Sequence, residues 1–327
     1  MSENGILVVS EDDCKRLMDA EAAFDAVKDV FGRMASGEAR NFPVVREAIG
    51  YADALYGFKS GFDRGSMTLG VKGGGYWPGN TAQGLTNHQS TVCLFDADTG
   101  RLSALVGGNY LTAIRTAAAS AVSIAALSRQ DSKVLGMIGA GHQAGFQLRA
   151  AVEQRNFEKV VAWNYHPEYL PNLGNVAAEV GLPFETPVIE EVCAQADVII
   201  TITSSFQPLL MNHWIQPGTH IACMGTDTRG KQEVESKLLA SAKVFTDEID
   251  QSTSIGEAQH AFAEGLIAKE QITPLGEVIN GAHPGRSQSG DITLFDSTGV
   301  GLQDLAVASV AVKKAMDTGN VQAVQLG

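Results

Sequence analysis

The hydrophobic and polar positions of this 327-residue chain change rhythm along its length. Over residues 11–36, Leu17, Ala20, Phe24, Val27 and Phe31 recur at helical spacing and Gly37 follows as a stop, which predicts one amphipathic helix. Residues 40–110 alternate instead. Runs such as ALYGFKSGF, MTLGVKGGGY, STVCLFDADTG and LSALVGG are separated by Gly, Asp and Asn. That pattern predicts an antiparallel or mixed sheet with tight turns, and Asp98-Thr99-Gly100 predicts a hairpin. Residues 112–128, TAIRTAAASAVSIAALS, predict an alanine-rich helix. From residue 133 strands and helices alternate: KVLGMIG, KVVAWN, ADVIITIT, THIACMG and AKVFTDE read as strands. This rhythm predicts an α/β fold with a parallel sheet covered by helices. After a short strand in DITLF, a long helix starts near residue 301 and is expected to pack back on the first part of the chain.

Composition narrows the class. With 44% hydrophobic and 19% charged residues, the chain can build a core, and its length suits two domains. A net charge of -13 argues against nucleic acid or an anionic membrane as partner, though not against a local basic pocket for a small anion. No continuous apolar run of about 20 residues marks a bilayer crossing. The opening MSENGILVVSEDDCKRL lacks a basic start and an apolar core, so no signal peptide is expected. Cys14, Cys93, Cys193 and Cys223 are scattered without metal-ligand spacing. They are expected to be free thiols in a reducing cytoplasm, with no metal site.

The turn Gly139-Ala140-Gly141-His142-Gln143-Ala144 follows a predicted strand and opens a predicted helix. Gly139 permits a tight turn, and Gly141 lets backbone N–H groups approach a pyrophosphate at the helix start. Ala144, in place of a third glycine, is small enough for close packing. The next strand ends at Asn164, where an acidic residue would bind the adenosine ribose of NAD; asparagine can still hydrogen-bond a hydroxyl. No arginine follows closely to meet a 2′-phosphate, which favours NAD over NADP. His166 is either a phosphate contact or a solvated loop residue.

Several separated segments together resemble the ornithine cyclodeaminase / μ-crystallin family: GVKGGGYWPGN, GLTNHQSTVCLFDADTG, LTAIRTAAASA, IGAGHQA, ADVIITIT, PGTHIACMGTDTRGKQEV and DSTGVGLQDLAVA. The resemblance runs in order along nearly the whole chain. It implies a Rossmann-type doubly wound NAD-binding domain at 126–301. It also implies an α+β substrate-binding and dimerisation domain from 1–125 and 302–327, and a homodimer. Members act on α-amino acids and their imines with a nicotinamide cofactor.

Three residues carry the expected chemistry. Arg115 sits among small uncharged neighbours, and its guanidinium can grip a carboxylate with two prongs. The resemblance places it on the substrate α-carboxylate and, with Thr116, on the cofactor side. Lys72 lies beside three glycines in LGVKGGGY and is either a solvated strand lysine or, as the resemblance implies, a carboxylate or imine contact. Asp227 follows an apolar strand in CMGTDTRGK. It is either a turn cap or a partly shielded acid, and the resemblance makes it the acid/base at the substrate nitrogen. On the cofactor side the resemblance adds Gly139, Gly141, His142, Gln143, Asn164, Thr203, Ser204, Gly225, Thr226, Lys231 and Ser297. Arg46, or else Arg40, matches an early arginine near the substrate.

Lys59-Ser60 stands where many members of the family have an apolar methionine-proline pair. Lys59, His88 and Arg46 suit a distal carboxylate, unless Lys59 points to solvent. A small anionic imino acid is therefore the expected substrate, with iminosuccinate reduced to L-aspartate by an NADH-dependent imine reductase as the concrete case. Alternatives are an ornithine-type cyclodeaminase that recycles NAD, an alanine dehydrogenase, a cyclic ketimine reductase and a non-enzymatic binding protein of the μ-crystallin kind.

Overall fold

The computed structural model describes residues 5–319 and 321–325. The chain forms two compact units, Met1–Arg115 with Val300–Gly327, and Thr116–Gly299. The division falls within the alanine-rich helix Asn109–Leu127.

In the first unit the helix expected over 11–36 is two helices, Glu11–Leu17 and Ala20–Ala35. Asp19 starts the second by accepting the Ala22 N–H at 2.8 Å. Met18 between them is extended and only 2% exposed. A capping side chain and a buried anchor outweigh the continuous helical spacing.

The sheet of this unit runs Gln322–Val324, Ile6–Val9, Leu102–Gly107, His88–Phe95, Thr68–Tyr76, Leu55–Asp63 and Ala39–Asn41, with Val45–Ala48 also paired to Leu55–Asp63. All pairings are antiparallel except Ile6–Val9 with Leu102–Gly107. The hairpin predicted at 98–100 is present: the Thr99 N–H donates to Asp96 Oδ1 at 2.8 Å, and Gly100 has φ +71°. Helix Gly301–Asp317 packs on this sheet, with Leu302 over Gly61 and Leu305 over Gly70. Asn41 Oδ1 accepts its first N–H, from Gly301, at 3.0 Å.

The second unit holds an all-parallel sheet: Phe184–Glu185, Lys159–Trp163, Val134–Ile138, Val198–Thr201, His220–Cys223, Thr293–Asp296, Lys243–Thr246 and Ile272–Pro274. Strand order reverses between Val134–Ile138 and Val198–Thr201, the place where doubly wound sheets bind ligands beyond their carboxyl ends. Arg155 meets several carbonyls at the end of the alanine-rich helix and just beyond it. Its Nη2 donates to Ile124, Ala125 and Ser128 at 2.9–3.0 Å, and its Nε donates to Arg129 at 2.9 Å.

One helix meets the length and mean hydropathy of a bilayer crossing without a continuous apolar run. Asn109–Leu127 is long and apolar enough to cross a bilayer, but 83% of its apolar window is buried inside the fold. Alanine and isoleucine serve here to pack a core helix.

Candidate active site

Functional side chains gather in two clusters, one within each unit. In the first unit, strand register does the gathering. Lys59 is directly opposite Lys72, Lys72 is opposite Val92, and Arg46 is opposite Gly57. Because side chains alternate along a strand, Arg46, Lys59, Lys72, Ser90 and His88 share one face. Helix Gly301–Asp317 packs on the same sheet and brings Asp304, which the sequence reading had not singled out. Its carboxylate meets Lys72 Nζ at 2.8 Å and Arg115 Nε at 3.0 Å. Arg115 Nη1 also donates to Gln303 Oε1 at 2.8 Å, and Lys72 Nζ donates to Thr112 Oγ1 at 3.3 Å. An Asp in LQDLAVA looks like a helix-face residue. Only its register beneath two distant cations reveals it.

Burial sets the charges of this cluster. Desolvation pushes the Lys72 ammonium down to about 7, against the pull of Asp304. Asp304 is equally buried, which by itself would raise its carboxyl, but Arg115 and then Lys72 outweigh this and hold it at about 2. The trio therefore contains a fixed cation, a fixed anion and a lysine poised to titrate near neutrality. His88 adds a polar group rather than a charge. Burial, reinforced by the charge of Lys72, lowers its imidazole to about 3, so it is neutral at pH 7. It offers hydrogen bonds, while Lys59 and Arg46 carry the positive charge.

In the second unit the glycine turn has the shape a pyrophosphate needs. Gly139 has φ +113°, and a Cβ there would lie 2.5 Å from the Ile202 carbonyl oxygen. Nothing lies within 4 Å of a Cβ placed on Gly141, so the turn is open above it. Helix Ala144–Val152 starts without a side-chain cap, and Ala144 is buried. These features fit a dinucleotide phosphate at uncapped backbone N–H groups. His142 is exposed and its ring lies tilted against Phe146, with ring centroids 5.7 Å apart.

Asn164 takes an inward role. Its Oδ1 accepts the Ala140 N–H at 3.0 Å and its Nδ2 donates to the His166 carbonyl at 2.7 Å, so the side chain braces the turn. Thr203, Thr226 and Ser297 also direct their hydroxyls inward, to Glu233, Glu257 and Asp247. Ser204 is exposed, and Thr116 is buried. Lys231 Nζ meets Asp227 Oδ1 at 3.0 Å and the Gly225 carbonyl at 3.1 Å. The Asp227 side chain is 28% exposed. Among the described residues no group of His, Cys, Asp and Glu is arranged to hold a metal.

Residues 3–319 match the ornithine cyclodeaminase/mu-crystallin family. The chain belongs to that family. It is 59% identical over 321 residues to the iminosuccinate reductase of Paracoccus denitrificans (strain Pd 1222), covering 98% of this chain and 100% of the relative. The crystal structure of that Paracoccus protein in complex with NAD+ superimposes with a TM-score of 0.95. An archaeal alanine dehydrogenase dimer with bound NAD is 30% identical and superimposes with a TM-score of 0.92, covering 99% of this chain and all of that one. The α/β fold with a Rossmann-type sheet expected from the sequence is thus present.

Proposed function

We propose that this protein is an NAD-dependent imine reductase acting on iminosuccinate to give L-aspartate. The observation that carries the substrate class is the set of cations gathered in the first cluster. Lys59, Lys72 and Arg115 act electrostatically on Asp304, and Arg46 lies on the same sheet face. Cations placed on one sheet face in this way suit a substrate bearing two carboxylates. Ornithine would bring a distal ammonium among them, an arrangement that costs affinity. The activity of the Paracoccus relative supports the same reading.

Arg115 is held through Nε and Nη1, so its plane is oriented before substrate arrives. Its role is to bind the α-carboxylate. Lys72 supplies a second counter-charge and, with its ammonium near 7, a proton that can be surrendered at neutral pH. Asp227, beside Lys231, serves as the acid/base at the substrate nitrogen. Gly139, Gly141, His142 and Gln143 hold the dinucleotide phosphates through their backbone. NAD is favoured because Asn164 is followed by no nearby arginine. Bound NADH supplies the hydride.

The protein acts as a homodimer in a reducing cytoplasm. Tyr56 and Phe58 are 39% and 44% exposed, with rings 5.3 Å apart, and they alternate with Lys59 onto the other sheet face, which suits a second copy. The archaeal relative is described as a dimer. Cys14, Cys93, Cys193 and Cys223 are free thiols.

The test supplies NADH with oxaloacetate and ammonium, which condense to iminosuccinate, then with pyruvate and ammonium, then with a cyclic ketimine. NADH oxidation with L-aspartate as the product of the first mixture is expected. Oxidation with the cyclic ketimine alone would sink the dicarboxylate reading.

A further inference from the structure

We infer that Glu233 and Glu257 form a buried bracket that sets the loop carrying Asp227, and that Glu233 is a positioning residue for the reaction. The inference rests on the role proposed above for Asp227. Glu233 is 0% exposed and Glu257 1%. Among the described residues neither has a salt-bridge partner, so both are buried at a cost that hydrogen bonds must offset.

The bonds they make converge on one place. Glu233 accepts the Thr201 hydroxyl at 2.8 Å, the Thr203 N–H at 2.6 Å, the Thr203 hydroxyl at 2.7 Å and the Gly225 N–H at 3.0 Å. Glu257 accepts the Thr226 hydroxyl at 2.5 Å and the N–H groups of Glu233 and Val234 at 2.8 and 2.7 Å. One glutamate thus ties the end of strand Val198–Thr201 to the end of strand His220–Cys223. The other ties the next residue of that second loop, Thr226, to strand Gln232–Val234. The two loops are pressed together: a Cβ on Gly225 would lie 2.5 Å from the Thr203 carbonyl oxygen and 2.6 Å from Glu233 Oε1. Asp227 comes next in the chain, and Lys231 clamps it from the far side of the loop by holding both its carboxylate and the Gly225 carbonyl. A carboxylate accepts from every direction here, whereas a glutamine would turn a donor toward donors.

The two glutamates are not equivalent. Burial pushes both upward, Glu257 to about 8, with Glu233 as the next contributor to that rise. Glu257 is therefore the member that keeps a proton at neutral pH, and Glu257→Gln mimics that state.

The test compares Glu233→Gln, Glu257→Gln and Asp227→Asn with the wild type, measuring kcat, KM for the imine, NADH affinity by nucleotide fluorescence and amide exchange at 203 and 225. For Glu233→Gln the expected result is a loss of roughly tenfold or more in kcat, with NADH affinity within about twofold and faster exchange at both amides. Glu257→Gln should stay within about threefold of the wild type in kcat. If Glu233→Gln fails to fold, Thr201→Val removes one donor to Glu233 and should lower kcat while leaving NADH affinity intact. Wild-type kcat in Glu233→Gln, or in Thr201→Val where Glu233→Gln cannot be made, beside a disabled Asp227→Asn would overturn the bracket alone. Full turnover in Asp227→Asn would overturn the role of Asp227 instead.

Discussion

Replacing Asp304 by asparagine removes one charge and almost no volume, so it isolates the electrostatics of the first cluster. In the wild type its carboxylate lies 2.8 Å from Lys72 Nζ and 3.0 Å from Arg115 Nε, with all three side chains at most 7% exposed. At an effective dielectric near 20, each contact is worth ~6 kcal/mol, most of it offset by the desolvation of three buried ions. Removing one partner of such a buried pair costs ~3–5 kcal/mol. Lys72 relieves part of this by losing its proton, because its ammonium already sits at about 7. The penalty is therefore largest where solution pH keeps the lysine charged, and it shrinks as pH rises. Asp304 itself titrates at about 2 against an ordinary 3.8, so its contribution is present above 3.8 and is lost as pH falls through 2. That span is worth ~2 kcal/mol and is fully present under assay conditions. Chemical unfolding of wild type and Asp304→Asn at about pH 6 and about pH 8.5 should show a gap of ~3–5 kcal/mol at the lower pH and a smaller one at the higher. kcat/KM should fall by roughly tenfold or more, because Arg115 and Lys72 lose their common anchor. A variant as stable as the wild type at both values, or a gap that widens with pH, would refute the buried ion trio.

Three further outcomes follow from the same geometry. Lys72 must be charged to attract a dicarboxylate, so kcat/KM for reduction should fall as pH rises through about 7, and Lys72→Arg should remove that fall at some cost in rate; an unchanged pH profile in the variant would place the titration elsewhere. Asn164→Ala leaves the Ala140 N–H without its acceptor and should weaken NADH binding by roughly tenfold, with kcat at saturating NADH preserved, as read by fluorescence titration; unaltered affinity would mean the turn holds without its brace. Arg155→Met strands the carbonyls that close the alanine-rich helix and should lower stability by ~3 kcal/mol in calorimetric melting; no shift in Tm would show that water replaces the guanidinium there.

Local chemistry made much of the fold legible from sequence. Period-two alternation marked the strands of the first unit, Asp98-Thr99-Gly100 marked their hairpin, and apolar runs spaced by helices marked the parallel sheet. Lys59, Lys72 and Arg115, named from type and context, fall into one electrostatic cluster. The helix over 11–36 was misread because helical spacing is blind to a cap: Asp19 restarts the chain where the periodicity runs on.

The sequence by itself determined which segments alternate, where the glycine turn sits and which cations are available, because these depend on residues a few positions apart. Tertiary structure alone decided their protonation and their partners. Asp304 reaches Arg115 across 189 positions of chain, and Glu233 reaches Thr203 across 30. No window of sequence contains such a pair. Nor does sequence show how far a side chain is taken from water, and that desolvation is what leaves His88 neutral and Lys72 poised near 7.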